Sequence, residues 1–245
     1  MEYNTEILTE GCRELGISLT EEQIQQFMVY YERLIEVNQV MNLTAITEFE
    51  DVMRKHFLDS LALIKAVEIR KEDRVLDLGT GAGFPGIPLK IVYPETEFLL
   101  LDSLNKRIKF LNSIIDECRL KKIHAVHGRA EELARRQEYR GTFDLCVSRA
   151  VANLSSLSEY CLPYVKKGGC FVSYKSGNVS EELEEAQYAI RELGGKLRQV
   201  VSFQLPDSEI QRSLVVIEKM ADTPKKYPRR AGIPAKEPLS RKAGK

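Results

Sequence analysis

The sequence has little of what staples or anchors a fold from outside. Its five cysteines (Cys12, Cys118, Cys146, Cys161 and Cys170) are odd in number, scattered, and never form a Cys-x-x-Cys pair. That pattern argues against a disulfide framework and a structural zinc site, and reduced, buried thiols are expected instead. Histidine is equally scarce, and His56, His124 and His127 show no metal-ligand spacing. His124 and His127 alternate on one short segment and read as packing or edge residues, and His56 as a hydrogen-bonded structural histidine. No apolar run approaches the length needed to cross a bilayer. The opening Met1-Glu2-Tyr3-Asn4 is not basic and no apolar segment follows it. No secretory leader is expected there, and the cytoplasm is the expected compartment. No internal repeat is visible.

What the sequence does have is material for one sizeable core. A folded chain of 245 residues buries roughly 70–75% of its extended surface. The formal net charge of zero hides an asymmetry, because Asp222–Lys245 carries eight basic and two acidic residues, leaving an excess of six acids in the remainder. Four of the nine prolines (Pro224, Pro228, Pro234 and Pro238) lie in that same stretch. A basic, proline-rich end of this kind is expected to form no core, and reads either as a solvated tail or as a contact surface for polyanions.

The N-terminal third reads as helical. Thr20 with Gln23 forms a capping box, and Leu19 and Ile24 are placed as a hydrophobic staple. Ile24, Phe27, Met28, Tyr31, Leu34 and Ile35 then follow helical spacing. Asn42-Leu43-Thr44 is a connector, and a second helix is expected over 50–66. From Arg74 the texture changes to alternating strands (74–78, 98–101, 123–127, 143–147 and 170–174) and helices (85–93, 105–118, 129–135, 153–161 and 180–193). Two β-rich runs, 196–204 and 213–219, follow without a helix between them. Alternation of this kind implies a parallel sheet with helices on both faces, closed by an antiparallel hairpin at one edge.

In such a sheet ligands bind at the carboxyl ends of the strands. The first strand ends in Asp77-Leu78-Gly79-Thr80-Gly81-Ala82-Gly83-Phe84-Pro85-Gly86, where glycines permit a sharp turn and let a ligand lie against bare backbone. Asp102 ends the next strand, where ribose hydroxyls would be held. Gly81–Gly86 formally fits the dinucleotide pattern G-x-G-x-x-G, so that reading stays open. Two features weigh against it. The match begins after the chain has already turned at Gly79, and Asp77 is expected to put a carboxylate at the mouth of the loop, repelling a pyrophosphate and welcoming a cation.

Asp77–Gly86 with Ile87-Pro88-Leu89-Lys90 resembles the first motif of the RsmG (GidB) family of 16S rRNA (guanine-N7) methyltransferases. The resemblance extends to Leu101-Asp102-Ser103, Lys106-Arg107, Phe110-Leu111, Gly128-Arg129-Ala130-Glu131-Glu132, Ser148-Arg149-Ala150-Val151-Ala152, Tyr174-Lys175-Ser176-Gly177 and Tyr227–Gly232. Upstream, Asn42-Leu43-Thr44 and His56–Ser60 fit the family's helical N-terminal region, so nearly the whole chain is covered. The resemblance implies S-adenosylmethionine as cofactor, with contacts at Gly79 and Phe84, at Ala130 and Glu131 beside the adenine, and at Arg149. Asp77, Gly81 and Asp102 join that set from the loop and sheet logic. The implied fold is a class I S-adenosylmethionine-dependent methyltransferase, Rossmann-like and α/β, with a seven-stranded, mostly parallel sheet carrying one antiparallel edge strand. The expected division is a helical extension packed on the core (1–70), a methyltransferase domain (71–221) and a basic C-terminal segment (222–245).

Absent motifs bear on the acceptor. The Asn/Asp-Pro-Pro-aromatic loop of exocyclic-amine methyltransferases has no counterpart at Val147-Ser148-Arg149-Ala150. Cys146, the nearest candidate nucleophile, lies in an apolar strand and reads as core. Guanine N7 needs neither device, so positioning is expected to suffice, with no obligatory general base and no assigned catalytic residue. The expected partner is 16S rRNA in the small ribosomal subunit, with neither membrane nor metal, and the expected state is a monomer. Candidate RNA contacts are Arg149, Lys175 and Arg212, with Lys225, Lys226, Arg229 and Arg230 in the tail.

Overall fold

The computed structural model describes residues 3–240; the start of the chain and the last five residues of the expected tail lie outside the described residues. Helix α1 spans Glu6–Glu14 and α2 spans Glu21–Met41. The capping box is present, with Thr20 Oγ1 accepting from the Gln23 amide and Gln23 Oε1 accepting from the Thr20 amide. The helix expected over 50–66 is not uniform. It runs as α3 (Phe49–Val52), a π-helical turn (Met53–Leu58), α4 (Asp59–Leu61) and a 3-10 turn (Ala62–Lys65). Such a widened turn is an uncommon element that recurs at functional sites, and here it carries His56.

The strands are β1 (Arg74–Leu78), β2 (Glu97–Asp102), β3 (Ile123–His127), β4 (Phe143–Ser148), β5 (Val165–Ser176), β6 (Gly195–Gln204) and β7 (Gln211–Lys219). They form one seven-stranded sheet in the order β3-β2-β1-β4-β5-β7-β6. Only β7 runs antiparallel to its neighbours, lying between β5 and β6, so the β6–β7 hairpin closes one edge. Strand β5 begins earlier than its apolar run suggested. The Lys166-Lys167-Gly168-Gly169 stretch breaks the pattern in sequence, yet Gly169 lets the Asp144 carbonyl of β4 approach where any side chain would clash.

The helices divide between the two faces. Helices α5 (Gly86–Val92) and α6 (Asn105–Glu117) share one apolar layer with α1, α2 and the 49–65 segment. Helices α7 (Ala130–Leu133), α8 (Leu154–Cys161) and α9 (Ser180–Glu192) build the other layer. Specific bonds fix the N-terminal helices to the sheet layer: Gln23 and Gln26 donate to the carbonyls of Ile91 and Cys118, both at 2.8 Å. All five cysteines are free, four of them buried and Cys170 half-buried.

The C-terminal segment departs from expectation. Residues 222–240 are docked on the molecule, with a short helix α10 at Ile233–Lys236 and Tyr227 buried in the second apolar layer. Arg140 donates to the carbonyls of Thr223 (2.8 Å) and Tyr227 (3.0 Å), and Arg135 to that of Pro228. Proline presents a carbonyl acceptor with no N–H to satisfy, so a proline-rich strand can be held by side-chain donors alone.

Candidate functional site

The strand order reverses between β1 and β4, which is where a crevice opens in sheets of this kind. A cavity of about 610 Å³ lies there, over the ends of β1 to β4. Its floor is the loop after β1, in which Gly79 and Gly81 hold φ of 74° and 63°, a region glycine enters without strain. The Gly79 and Thr80 amides donate to the Leu101 carbonyl, the Gly81 amide to Asp102 Oδ2 at 3.0 Å, and Tyr30 of α2 donates to the Ala82 carbonyl at 2.6 Å. Gly86 lets α5 start against the sheet: a Cβ there would collide with Leu100 and sit 2.7 Å from Asp77 Oδ2.

Asp77 does not stand at the mouth of the loop. It is wholly buried and does not line the cavity. Its Oδ2 accepts from the Thr80 hydroxyl (2.6 Å) and the Gly86 amide (2.8 Å), tying the two ends of the loop together. Burial pushes its pKa up from 3.8 to about 7 against the pull of those two bonds. The strand's pleat turns the side chain under the loop, and the carboxylates that line the crevice are Asp102 and Glu131. Asp102 receives Leu104 N–H on Oδ1 (2.9 Å) and Arg107 on Oδ2 (3.1 Å) in addition to Gly81. Glu131 Oε1 accepts the Gly232 amide at 2.8 Å.

Gly79, Gly81, Phe84, Asp102, Ala130, Glu131 and Arg149 are brought together around this one cavity. Phe84 is nevertheless mostly covered. The His56 ring stacks on it at 4.4 Å, and the Arg149 guanidinium lies 4.9 Å from its centroid. Arg149 in turn donates to the Lys55 carbonyl (3.1 Å), Asp59 Oδ2 (3.0 Å) and His56 Nδ1 (3.1 Å), so the N-terminal helices set its direction. His56 Nε2 bonds the Thr44 hydroxyl at 2.8 Å. Burial, and then the Arg149 charge, lower the His56 pKa to about 3, so the ring is neutral at physiological pH.

A second cavity of about 630 Å³ adjoins the first, and Arg149, His56 and Val151 line both. Arg149, Lys175 and Arg212 meet in it, each held by a carboxylate: buried Asp59 takes both arginines and Glu182 takes Lys175 at 2.6 Å. Adding Lys55, four cations face two carboxylates in this cavity. The tail cations Lys225, Lys226, Arg229 and Arg230 line neither cavity. Arg229 is turned inward onto Glu159, which is 0% exposed, and Lys226 pairs with Glu192. Lys225 and Arg230 are exposed.

Several lining residues were given no site role from the sequence: Asp59, Val151 and Gly232, which stood only within resemblance motifs, and Tyr160 and Ala235, which were not singled out. Asp59 carries a legible signal, an acid among Phe57, Leu58, Leu61 and Ala62 in an otherwise apolar helical run. Among the described residues, no group of three His, Cys, Asp or Glu could hold a metal, and no helix is long and apolar enough to cross a membrane.

The family profile described as rRNA small subunit methyltransferase G (GidB) matches residues 23–215. The chain belongs to that family. A Ribosomal RNA small subunit methyltransferase G of Lachnoclostridium phytofermentans is 60% identical over 95% of this chain and 96% of its own length. One from Clostridium tetani is 49% identical over 96% and 98%. Among solved structures, TrmN from Thermus thermophilus superposes with a TM-score of 0.53 at 19% identity, over 66% of this chain and 48% of that one. The YcgJ protein of Bacillus subtilis gives 0.51 at 16%, over 68% and 100%. Those two likenesses are of fold alone, and the architecture is the class I S-adenosylmethionine-dependent methyltransferase fold with a helical N-terminal part.

Proposed function

We propose that the chain transfers a methyl group from S-adenosylmethionine to N7 of a guanine in 16S rRNA, with the donor in the first cavity and the acceptor base entering from the second. The donor set suits the cofactor: bare backbone at Gly79 and Gly81, with Asp102 and Glu131 for the ribose and adenine. Bound there, S-adenosylmethionine supplies a methyl group on a cationic sulfur, and N7, an in-plane lone pair with no proton to lose, accepts it. The observation that carries this reading is Arg149, which lines both cavities and is fixed by three acceptors. A side chain held in that way can position a substrate, as catalysis by orientation requires. His56, the one imidazole at the junction, has both nitrogens engaged and titrates far below neutrality, which disfavours it as a base.

The excess of cations in the second cavity suits a phosphate-bearing substrate. Arg149, Lys175 and Arg212 are the proposed contacts near the base, and Lys225, Lys226 and Arg230 the more distant ones. Arg229 is left out, because it lines neither cavity and is turned inward onto the wholly buried Glu159, whereas Lys226 and Glu192 pair at the surface. The test is to incubate the chain with methyl-labelled donor and undermethylated small subunits, or naked 16S rRNA, and map the mark. N7-methylguanosine is expected. Label on an exocyclic amine, a pyrimidine or a ribosomal protein overturns the reading. At saturating donor the single-turnover rate should show no ionisation between about pH 6.5 and 8.5 other than that of the buried Asp77 near 7; an ionisation that persists in Asp77→Asn and is abolished by one substitution among the cavity-lining residues would overturn the absence of a general base.

A further inference from the structure

The family profile ends at residue 215, yet the wall of the first cavity does not. Gly232 and Ala235 line it, opposite the glycine loop in sequence and well beyond the last strand. Two anchors bring them there. Upstream, Arg229 is clamped to the buried Glu159 of α8 by its main-chain amide (2.7 Å), Nε (3.0 Å) and a guanidinium nitrogen (2.7 Å). Downstream, Ser156, also of α8, donates to the Pro234 carbonyl at 2.6 Å. Between the anchors the chain turns at Gly232, with φ of 83° and open space where a Cβ would point. The amide of that residue is the hydrogen-bond donor to Glu131 Oε1.

We propose that residues 223–237 form a strap that completes the donor site, with Glu131 as the latch shared between strap and donor. The inference rests on reading the first cavity as the S-adenosylmethionine site. Glu131 is buried, and one of its oxygens is already held by the strap, so the direction of the other is set by a segment beyond the last strand of the sheet. Donor and strap then stabilise each other: docking of the strap favours donor, and donor shifts the strap's docking equilibrium toward the docked state by the same factor. The start of the strap is held as well, since the main-chain carbonyls of Thr223, Pro224, Tyr227 and Pro228 accept from Arg135 and Arg140.

The experiment compares the intact chain with one ended after Ala231, which keeps the Arg229 clamp and loses the latch. S-adenosylhomocysteine is titrated calorimetrically into each. Its dissociation constant is expected to rise at least tenfold in the shortened chain. In the intact chain, amide exchange of peptides within 228–236 is expected to slow when S-adenosylhomocysteine binds, with the β6–β7 hairpin unchanged. This second readout decides the matter if the shortened chain does not fold. Equal affinity in a folded shortened chain, or exchange at 228–236 indifferent to ligand, overturns the strap while leaving the donor site standing. An intact chain that binds no S-adenosylhomocysteine overturns the donor site and the strap together.

Discussion

Replacing Asp77 by Asn should expose a pH dependence that the wild-type chain conceals. Folding raises the Asp77 carboxyl from 3.8 to about 7, chiefly through burial. The folded chain therefore holds that proton more tightly than the unfolded one, and the stability this brings is complete below pH 4 and lost as pH rises to about 7. At about 1.4 kcal/mol per pH unit the loss amounts to about 4 kcal/mol. His56 acts in the opposite sense. Folding lowers it from 6.5 to about 3, so the unfolded chain binds the extra proton and stability rises with pH across that window, by about 5 kcal/mol in all. Between pH 4 and 6.5 the two slopes cancel. In Asp77→Asn only the histidine slope remains, and stability relative to wild type should climb by about 3 kcal/mol from pH 4 to 6.5.

At pH 8 the Asn variant is relieved of a buried charge, but it places an amide group where Asp77 Oδ1 has no hydrogen-bond partner. That unsatisfied donor costs about 1–3 kcal/mol, so the net gain at pH 8 is about 1–3 kcal/mol. Urea unfolding of both proteins at pH 4.5, 5.5, 6.5 and 8 measures the difference directly. A gap between variant and wild type that stays constant from pH 4.5 to 6.5 would refute the reasoning, because it would mean that Asp77 is ionised in the folded chain throughout.

Arg229→Met removes the guanidinium from the wholly buried Glu159 carboxylate and leaves it only the main-chain amide of that position, a loss of about 3–5 kcal/mol, visible as a thermal midpoint lowered by roughly 6–20 °C. A midpoint within a degree or two of wild type would show that the pair is dispensable. Tyr30→Phe removes the 2.6 Å bond to the Ala82 carbonyl and strands a buried acceptor under the glycine loop; urea unfolding should register about 1–3 kcal/mol, with weaker S-adenosylhomocysteine binding. Lys225→Ala with Arg230→Ala should shrink the salt dependence of RNA binding, lowering the log–log slope by about 1.4–1.8 if both reach phosphates, whereas an unchanged slope in a filter-binding titration removes them from the interface.

The alternation of strands and helices was legible because β1 to β4 are short, largely apolar runs, three of them ending at or beside a glycine or an acid, and α6 and α7 between them are polar enough to stand apart. The Thr20–Gln23 capping box was legible because it is written in two residues three apart. What escaped depends on partners far along the chain. The π-helical turn at Met53–Leu58 differs from an α-turn by a fraction of a residue per turn, which a single turn of apolar spacing cannot reveal. Asp77 was read as a charge facing the ligand; its direction is fixed by the pleat of β1 and by contact with Gly86, nine positions on. The basic tail was read by composition as unable to pack, and its described part is anchored through buried Thr223, Tyr227, Pro228 and Pro234 while its other side chains are half-buried or exposed. Its partner acid Glu159 lies 70 positions earlier in an apolar helix, where it reads as an anomaly without a cause.

The same fact links the two cavities. Asp59 and Glu182 hold the three cations nearest the crevice, while Glu159 takes one from the tail. The charge offered to an RNA is therefore smaller than composition implies, but it is better aimed. An unpaired cation in water is free to follow any phosphate, whereas Arg149 is bound to three acceptors and packed on Phe84, so in the function proposed above it would favour one placement of substrate. Fixed geometry of that kind suits a transfer in which alignment of donor and acceptor is most of the work. It also explains why the helical N-terminal part cannot be a mere appendage. Lys55, His56 and Asp59, which direct Arg149, all come from it, so loosening the 49–65 segment should cost alignment at the junction before it costs donor affinity.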